Sequence, residues 1–316
     1  MKIKGTNRND TLVGTADNDH LLPFRGADTV DGGFGYDRLE VNYAALGGGS
    51  KASTINVLFN GMPFGGGMSG TLHGDARNSV VFQNVEQVYF TGTQGDDSLA
   101  LTSEVALNRS HLVLDGGAGF DLFSYVNTAR YDETRLFAFE DGTISFTEGT
   151  LAGFERFDLT LGRGNDTAYT GAADDILRGE GGSDDLNGGA GDDLLIGGAG
   201  ADLLTGGAGA DVFRFNTVAA FANKAGRTDR ITDFEAASDT IDLSAIDPDA
   251  MLAGDQAFTF IGQEAFNSGS PDYQVRFTDH GDGTFTVEGD TNHDAVADFT
   301  VDLSGAIAPG EYNFVL

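Results

Sequence analysis

The chain has 316 residues, enough for one or two folded domains, with 47 Gly, 5 Pro, no Cys and no Trp, and its 49 Asp and Glu against 18 Lys and Arg leave a formal net charge of −31. That field repels phosphate backbones and anionic lipid, so nucleic acid and membrane surfaces are excluded as natural partners and small hard cations are favoured. The absence of cysteine rules out a disulfide framework, a thiolate metal site and a thiol nucleophile. No apolar run approaches the roughly 20 residues of a membrane helix, and the opening MKIKGTNRND lacks the apolar segment of a Sec signal peptide.

In chain order, the first block, residues 1–41, repeats every nine residues from Gly5 as GTNRNDTLV, GTADNDHLL, PFRGADTVD and GGFGYDRLE, with Asp10, Asp19, Asp28 and Asp37 in the sixth place. Residues 42–160 form a spacer of alternating apolar runs that read as strands. Within it stand two isolated copies of the repeat, GTQGDDSLA and GGAGFDLFS, which contribute Asp97 and Asp121. The spacer also carries a duplication. GGFGYDRLEVNY from Gly32 pairs with GGAGFDLFSYVN from Gly116, and VEQVYFTGTQGDDS from Val85 pairs with FERFDLTLGRGNDT from Phe154. The offsets, 84 and 69, give the first copy 15 extra residues, which fit the Gly-rich stretch around Gly47 to Gly70. These modules are expected to be wider coils of one solenoid.

Residues 161–214 hold six uninterrupted blocks with Asp166, Asp175, Asp184, Asp193, Asp202 and Asp211 in the sixth place and Ala168, Leu177, Leu186, Leu195, Leu204 and Phe213 in the eighth. Six turn residues followed by three of the pattern x-apolar-x make one tight turn and one short strand, and two blocks make one coil. Each turn then stacks on the next but one, the strands pair in parallel, and eighth-place side chains meet in a narrow core. The fold class expected is all-β, a parallel β-roll solenoid. Glycine in the first, second and fourth places permits φ > 0 and lets carbonyls crowd inward. A Ca²⁺ ion takes about 6 to 8 oxygens, and a turn offers roughly three, so two stacked turns are needed per ion. Four stacked pairs predict about four ions in this run and about two in the first. The candidate ligands of the central run are Asp166, Asp175, Asp184, Asp193, Asp202 and Asp211 with the turn backbones at Gly179, Gly181, Gly188, Gly189, Ala190, Gly191, Gly197, Gly198, Ala199, Gly200, Gly206, Gly207, Ala208 and Gly209.

GGAGDDLLI, GGAGADLLT and GGAGADVFR resemble the nonapeptide GGxGxDxUx of RTX proteins, a Ca²⁺-binding repeat. The resemblance implies several Ca²⁺ ions as the cofactor. In the first block Arg8 and Asp17 stand in the fourth place, so the turns of Asp10 and Asp19 fit either metal binding or stacking without metal.

Residues 215–316 follow as FRFNTVAAF, DRITDF and DTIDLSAID, and from Asp211 to Leu316 the chain resembles the serralysin-type C-terminal domain. That resemblance implies a cap on the roll, which otherwise leaves an unpaired sheet edge. The tail EYNFVL is similar to the uncleaved C-terminal signal of type I secretion substrates, which implies the type I secretion machinery as a partner and a secreted, extracellular location. GDTNHDAVADF sets Asp290, Asn292, Asp294 and Asp298 at calcium-loop spacing, but Ala295 replaces the turn glycine and Val301 the closing Glu, so a polar β-turn is expected.

No catalytic site is expected. His20, His73, His111, His280 and His293 never form HExxH, and no G-x-S-x-G occurs. The function expected is a secreted Ca²⁺-binding RTX protein that folds on binding metal outside the cell. The alternative is an extracellular adhesin or glycan-binding module using Phe59, Met62, Phe64 and Met68 of the spacer, with extracellular polysaccharide or a cell surface as partner; a cryptic polysaccharide-active enzyme is a third reading.

Overall fold

A computed structural model describes residues 1–46, 53–57, 68–74, 77–103, 111–127, 135–138, 144–146, 149–217, 228–248, 256–305 and 307–316. The chain divides into two compact units, Met1–Gly162 and Arg163–Leu316. Among the described residues the regular structure is almost entirely strand, and no helix is long and apolar enough to cross a membrane.

In the second unit each nonapeptide is a turn and a short strand, and successive strands alternate between two sheets. One sheet runs Thr167–Tyr169, Asp185–Ala190, Leu203–Ala208 and Asp229–Ile231, and the facing sheet Ile176–Arg178, Leu194–Ile196, Val212–Arg214 and Thr240–Asp242. All these neighbours are parallel, and the register joins identical places of the repeat: Ala168 with Leu186, Leu177 with Leu195, Leu186 with Leu204 and Leu195 with Phe213. Ala168, Leu177, Leu186, Leu195, Leu204 and Phe213 are all fully buried, as the period-2 alternation of a half-buried strand requires. The roll is thus a parallel β-roll with a core one side chain wide from each sheet.

The repeat ends at Phe213 but the coil does not. Leu204 pairs with Ile231 and Phe213 with Ile241, so one further coil is built from non-repeat sequence. The antiparallel strands Tyr273–Asp279, Thr284–Asp290 and Phe299–Ser304 then close one sheet, the last lying parallel to Asp229–Ile231. Phe314–Val315 closes the other beside Thr240–Asp242. The tail is anchored by Asn313, 1% exposed, whose side-chain amide donates to the carbonyls of Ala236 and Asp239. In the loop after Thr284–Asp290, Asp290 accepts the backbone N–H groups of Asn292, His293 and Ala295, and Asp298 accepts the N–H and hydroxyl of Thr291. Both carboxylates are engaged by the loop itself, as a polar turn requires.

The first unit uses the same two-sheet principle with longer strands in the spacer. Lys2–Lys4, His20–Leu22, Arg38–Asn42, Gln87–Thr91 and His111–Asp115 stack in parallel in one sheet. In the other, Ala27–Asp31 lies parallel to Thr11–Val13 and to Ser79–Val85, and Ser98–Ser103 to Leu122–Asn127, which pairs with Arg156–Thr160. The duplicated module is a coil interrupted by a three-strand antiparallel excursion. In the first copy the excursion is Ser53–Val57, Met68–His73 and Ser79–Val85; in the second it is Arg135–Ala138, Ile144–Phe146 and Gly149–Ala152. The two excursions lie in opposite sheets, because the copies begin on strands of opposite sheets, Arg38–Asn42 and Leu122–Asn127. The longer strands of the first copy take up part of its 15 extra residues.

Phe59, Met62 and Phe64 lie outside the described residues. Met68 is 1% exposed and opposite Val57, so it is a core residue and not a surface contact, which corrects its assignment to a glycan-binding face. In the core of the second unit, Leu195 sits between Leu177 and Phe213 in the ladder. Leu195→Ala in saturating Ca²⁺ is expected to cost about 2–5 kcal/mol in denaturant unfolding; a loss below about 0.5 kcal/mol, typical of a surface change, would contradict this packing.

Candidate metal-binding turns

Turns eighteen residues apart are tied together through their sixth-place aspartates. The backbone N–H of Asp166 donates to Oδ1 of Asp184 (2.7 Å), Asp175 to Asp193 (2.7 Å), Asp184 to Asp202 (2.8 Å) and Asp193 to Asp211 (3.0 Å). Two ladders result, one along each edge of the roll. Both continue past the repeats, with Asp202 donating to Asp229 (2.9 Å) and Asp211 to Asp239 (3.1 Å). A second ladder of opposite polarity runs along the fifth place: Ser183 donates to the side chain of Asn165, Asp192 to Asp174 and Ala210 to Asp192.

The glycines are dictated by this stacking. In the turn Gly188–Asp193, a Cβ on Gly188 would lie 2.1 Å from Oδ2 of Asp193. Gly189, at φ +101°, has its Cα against the carbonyl oxygen of Gly171 in the turn below, where a Cβ would come within 2.1 Å. Only glycine fits either position without a shift.

The ladder uses one oxygen of each carboxylate. The other, Oδ2, is buried and accepts no hydrogen bond in Asp184, Asp193, Asp202, Asp211 and Asp229, whose residues are 1–3% exposed. Burial pushes Asp184 up to about 8, Asp193 and Asp229 to about 7, and Asp202 and Asp211 to about 6, because desolvation disfavours the charged form more than the ladder N–H groups favour it. Neighbouring ladder carboxylates add to the rise at Asp184 and Asp193. Among the described residues no three His, Asp or Glu side chains converge into a conventional metal cluster. The arrangement is instead one carboxylate per turn set among close-packed backbone carbonyls. Hard oxygen donors, negative and lacking a proton donor, are the chemistry that a divalent cation such as Ca²⁺ satisfies.

The first unit repeats the plan. Asp10 donates to Asp28 and Asp19 to Asp37, each at 2.8 Å. Asp97 donates to Asp121 at 2.6 Å, so the two isolated copies in the spacer, 24 residues apart, stack as neighbours. The Asp19–Asp37 and Asp97–Asp121 ladders end on glutamates: Asp37 donates to Glu86 (2.7 Å) and Asp121 to Glu155 (2.8 Å). All twelve repeat aspartates therefore belong to ladders. The residues missed in the sequence are Glu86, Glu155, Asp229 and Asp239. Glu86 and Glu155 were visible as the shared Glu of VEQV and FERF at the offset of 69, whereas Asp229 and Asp239, at spacings of 27 and 28, left no periodic signal.

The sequence matches the RTX calcium-binding nonapeptide repeat (4 copies) over residues 4–39 and 160–195. It matches the Peptidase M10 serralysin C terminal over residues 183–315, a region that begins within the repeats, upstream of Asp211. The chain thus carries RTX calcium-binding repeats and a serralysin-type C-terminal domain. The solution structure of the AlgE6R3 subunit from the Azotobacter vinelandii mannuronan C5-epimerase is similar, at 29% identity over 48% of this chain and 77% of that one, with a TM-score of 0.36. The AlgE6R2 subunit from the same organism's epimerase is 31% identical over 45% of this chain and 88% of its own, with a TM-score of 0.31. No curated protein matches the chain significantly.

Carboxyls whose folded pKa lies above the unfolded value bind protons more tightly when folded. Without metal, their contribution is complete below about pH 4 and is lost as pH rises through about 6 to 8, the values of Asp184, Asp193, Asp202 and Asp211. Urea unfolding in EGTA should therefore show stability falling from pH 4 toward pH 8. A rise across that interval would contradict the burial of these groups.

Proposed function

We propose that this chain is a secreted protein whose stacked turns bind several Ca²⁺ ions and whose roll folds when they bind outside the cell. The observation that carries the reading is the row of buried Oδ2 atoms on Asp184, Asp193, Asp202 and Asp211 with no hydrogen-bond donor. The ligands in the central run are its repeat aspartates together with backbone carbonyls of the glycine turns, Gly188–Gly191, Gly197–Gly200 and Gly206–Gly209 foremost. Four stacked pairs in the central run take about four ions. Bound Ca²⁺ supplies the positive charge that lets the ionised carboxylates stay buried side by side; the chain's own residues supply the register, through the Asp-to-Asp hydrogen bonds and the apolar eighth places.

Coupling to folding follows from where the ligands sit. Each site needs two turns brought together from points eighteen residues apart, so the unfolded chain has no preformed site and binding free energy is added to folding. Where free Ca²⁺ is scarce, the net charge of −31 opposes compaction. That supports export as a loose chain through type I secretion machinery, followed by folding where Ca²⁺ is abundant. In the folded unit the tail EYNFVL is a 3-10 turn, Glu311–Asn313, and a strand, Phe314–Val315, with Asn313 and Phe314 buried and Tyr312 and Val315 exposed, so recognition of the buried residues as a signal precedes folding. The role is binding and Ca²⁺-dependent folding, with no catalytic chemistry assigned to the chain.

Calcium titration of EGTA-treated protein, followed by calorimetry and far-ultraviolet circular dichroism, should show β-structure gained cooperatively near the 10⁻⁴ to 10⁻³ M typical of extracellular sites. An unchanged spectrum at millimolar Ca²⁺ would overturn the folding switch. Asp193→Asn and Asp202→Asn should each move the midpoint to higher Ca²⁺; an unmoved midpoint would place the sites elsewhere.

A further inference from the structure

Nine of the twelve turns fall into two classes, distinguished by their second residue. The other three stand apart: the turn of Asp166 opens on Leu161, Gly171 without a positive φ donates its N–H to Oδ2 of Asp175 (3.4 Å), and Asp28 keeps a buried Oδ2 without a hydrogen bond although its second residue, Phe24, has no positive φ. In GTNRND, GTADND and GTQGDD the second residue is Thr6, Thr15 and Thr93. Each donates both its backbone N–H and its hydroxyl to the carboxylate of its own turn. Thr6 gives two bonds to Oδ2 of Asp10 (2.5 and 2.8 Å) and Thr15 two to Oδ2 of Asp19 (2.6 and 2.9 Å). Thr93 gives one bond to each oxygen of Asp97 (2.5 and 3.0 Å). The oxygen left over by the ladder is thereby supplied with donors from within the turn.

In the other class the second residue has a left-handed backbone: Gly33 at φ +90°, Gly117 at +105°, Glu180 at +71°, and Gly189, Gly198 and Gly207 at +100° to +102°. In every one of these six turns Oδ2 of the sixth-place aspartate, Asp37, Asp121, Asp184, Asp193, Asp202 and Asp211 respectively, is buried without a hydrogen-bond partner. All six aspartates are at most 3% exposed. None of the three threonines has a positive φ. Among the left-handed residues, Gly33, Gly117 and Gly207 donate their N–H to another carboxylate, Asp31, Asp115 and Asp233 respectively; threonine, in the ordinary backbone region, donates to its own turn's carboxylate and adds a hydroxyl.

We propose that a threonine in the second place closes a turn to Ca²⁺ and that a left-handed second residue leaves it open. Thr6, Thr15 and Thr93 close their carboxylates with hydrogen bonds and leave Asp10, Asp19 and Asp97 outside the metal sites, whereas Gly33 and Gly117 leave Asp37 and Asp121 open. Among the turns of these two classes, metal binding in the first unit is thus directed to Asp37 and to Asp121. The Asp121 turn lies in residues 116–121, outside the regions 4–39, 160–195 and 183–315 that match known families. Asp121 is 0% exposed, its Oδ2 faces the Cα of Gly116, and its turn is stacked between Asp97 below and Glu155 above.

The inference rests on the calcium reading above, and its test separates the two. In the full chain, Ca²⁺ stoichiometry would be measured by equilibrium dialysis for wild type, Asp19→Asn, Asp97→Asn, Asp37→Asn, Asp121→Asn and Asp193→Asn. The expected result is an unchanged count for Asp19→Asn and Asp97→Asn and the loss of one ion, or a tenfold weaker site, for Asp37→Asn, Asp121→Asn and Asp193→Asn. A drop for Asp19→Asn or Asp97→Asn, or none for Asp37→Asn or Asp121→Asn, with Asp193→Asn behaving as expected, overturns the second-residue rule alone. An unchanged count for Asp193→Asn, or no Ca²⁺ bound by wild type, overturns both. Thr93→Gly guards against misfolding of an Asn variant: freeing the second place for the left-handed turn should add one ion, and an unaltered count counts against the rule.

Discussion

The structure depends on what becomes of a carboxylate removed from water. Asp184, Asp193, Asp202 and Asp211 are buried at their turns, and the two oxygens of each have different fates: Oδ1 takes the N–H of the equivalent aspartate in the turn below, and Oδ2 faces the glycine that opens its own turn. The first bond sets the stacking register, since it joins residues in the same place of the repeat. The second oxygen creates the demand. A buried carboxylate oxygen without a donor either takes up a proton, finds a hydrogen bond or binds a cation. Raised pKa values at Asp184, Asp193 and Asp202 describe the first outcome, and the threonine turns of the first unit display the second. Calcium is the third.

From this follows a division of labour along the chain. The eighth-place side chains make a core only one residue deep on each sheet, which by itself is a thin source of stability for so many ordered turns. The remaining order is carried by the edges, through the Asp ladders and the outer Asn and Asp ladders of the fifth place. The serralysin-type domain extends both sheets with one more coil and then continues them, one through antiparallel strands to Phe258–Phe260 and the other with Phe314–Val315, so that each sheet ends on a strand of two or three residues.

Much of this was legible in the nonapeptide itself. A period of nine with Asp sixth and an apolar residue eighth fixes the turn, the strand, the buried face and the pairing of Leu177 with Leu195 or Leu186 with Leu204. What escaped is what has no period. The ladder closures Asp229 and Asp239 come from loops of unrepeated length, and the threonine donors look like ordinary turn residues until the side-chain geometry is seen. The antiparallel excursions of the spacer read only as further strands, because alternation gives the face of a strand but not its direction. Met68 was misplaced for a related reason: a methionine in a Gly-rich segment suggests an exposed loop, but it opens a paired strand whose partner across the antiparallel ladder is Val57.

Native-state hydrogen exchange at the backbone amides of Asp166, Asp175, Asp184 and Asp193, in Ca²⁺ and in EGTA, tests the central claim most directly. These N–H groups are the rungs of the ladder, so their protection reports whether the turns are stacked. Strong protection in Ca²⁺ that collapses in EGTA at neutral pH is the predicted result. Equal protection in both would mean that the carboxylates hold the stack without metal, and the account of an ion-dependent roll would be wrong.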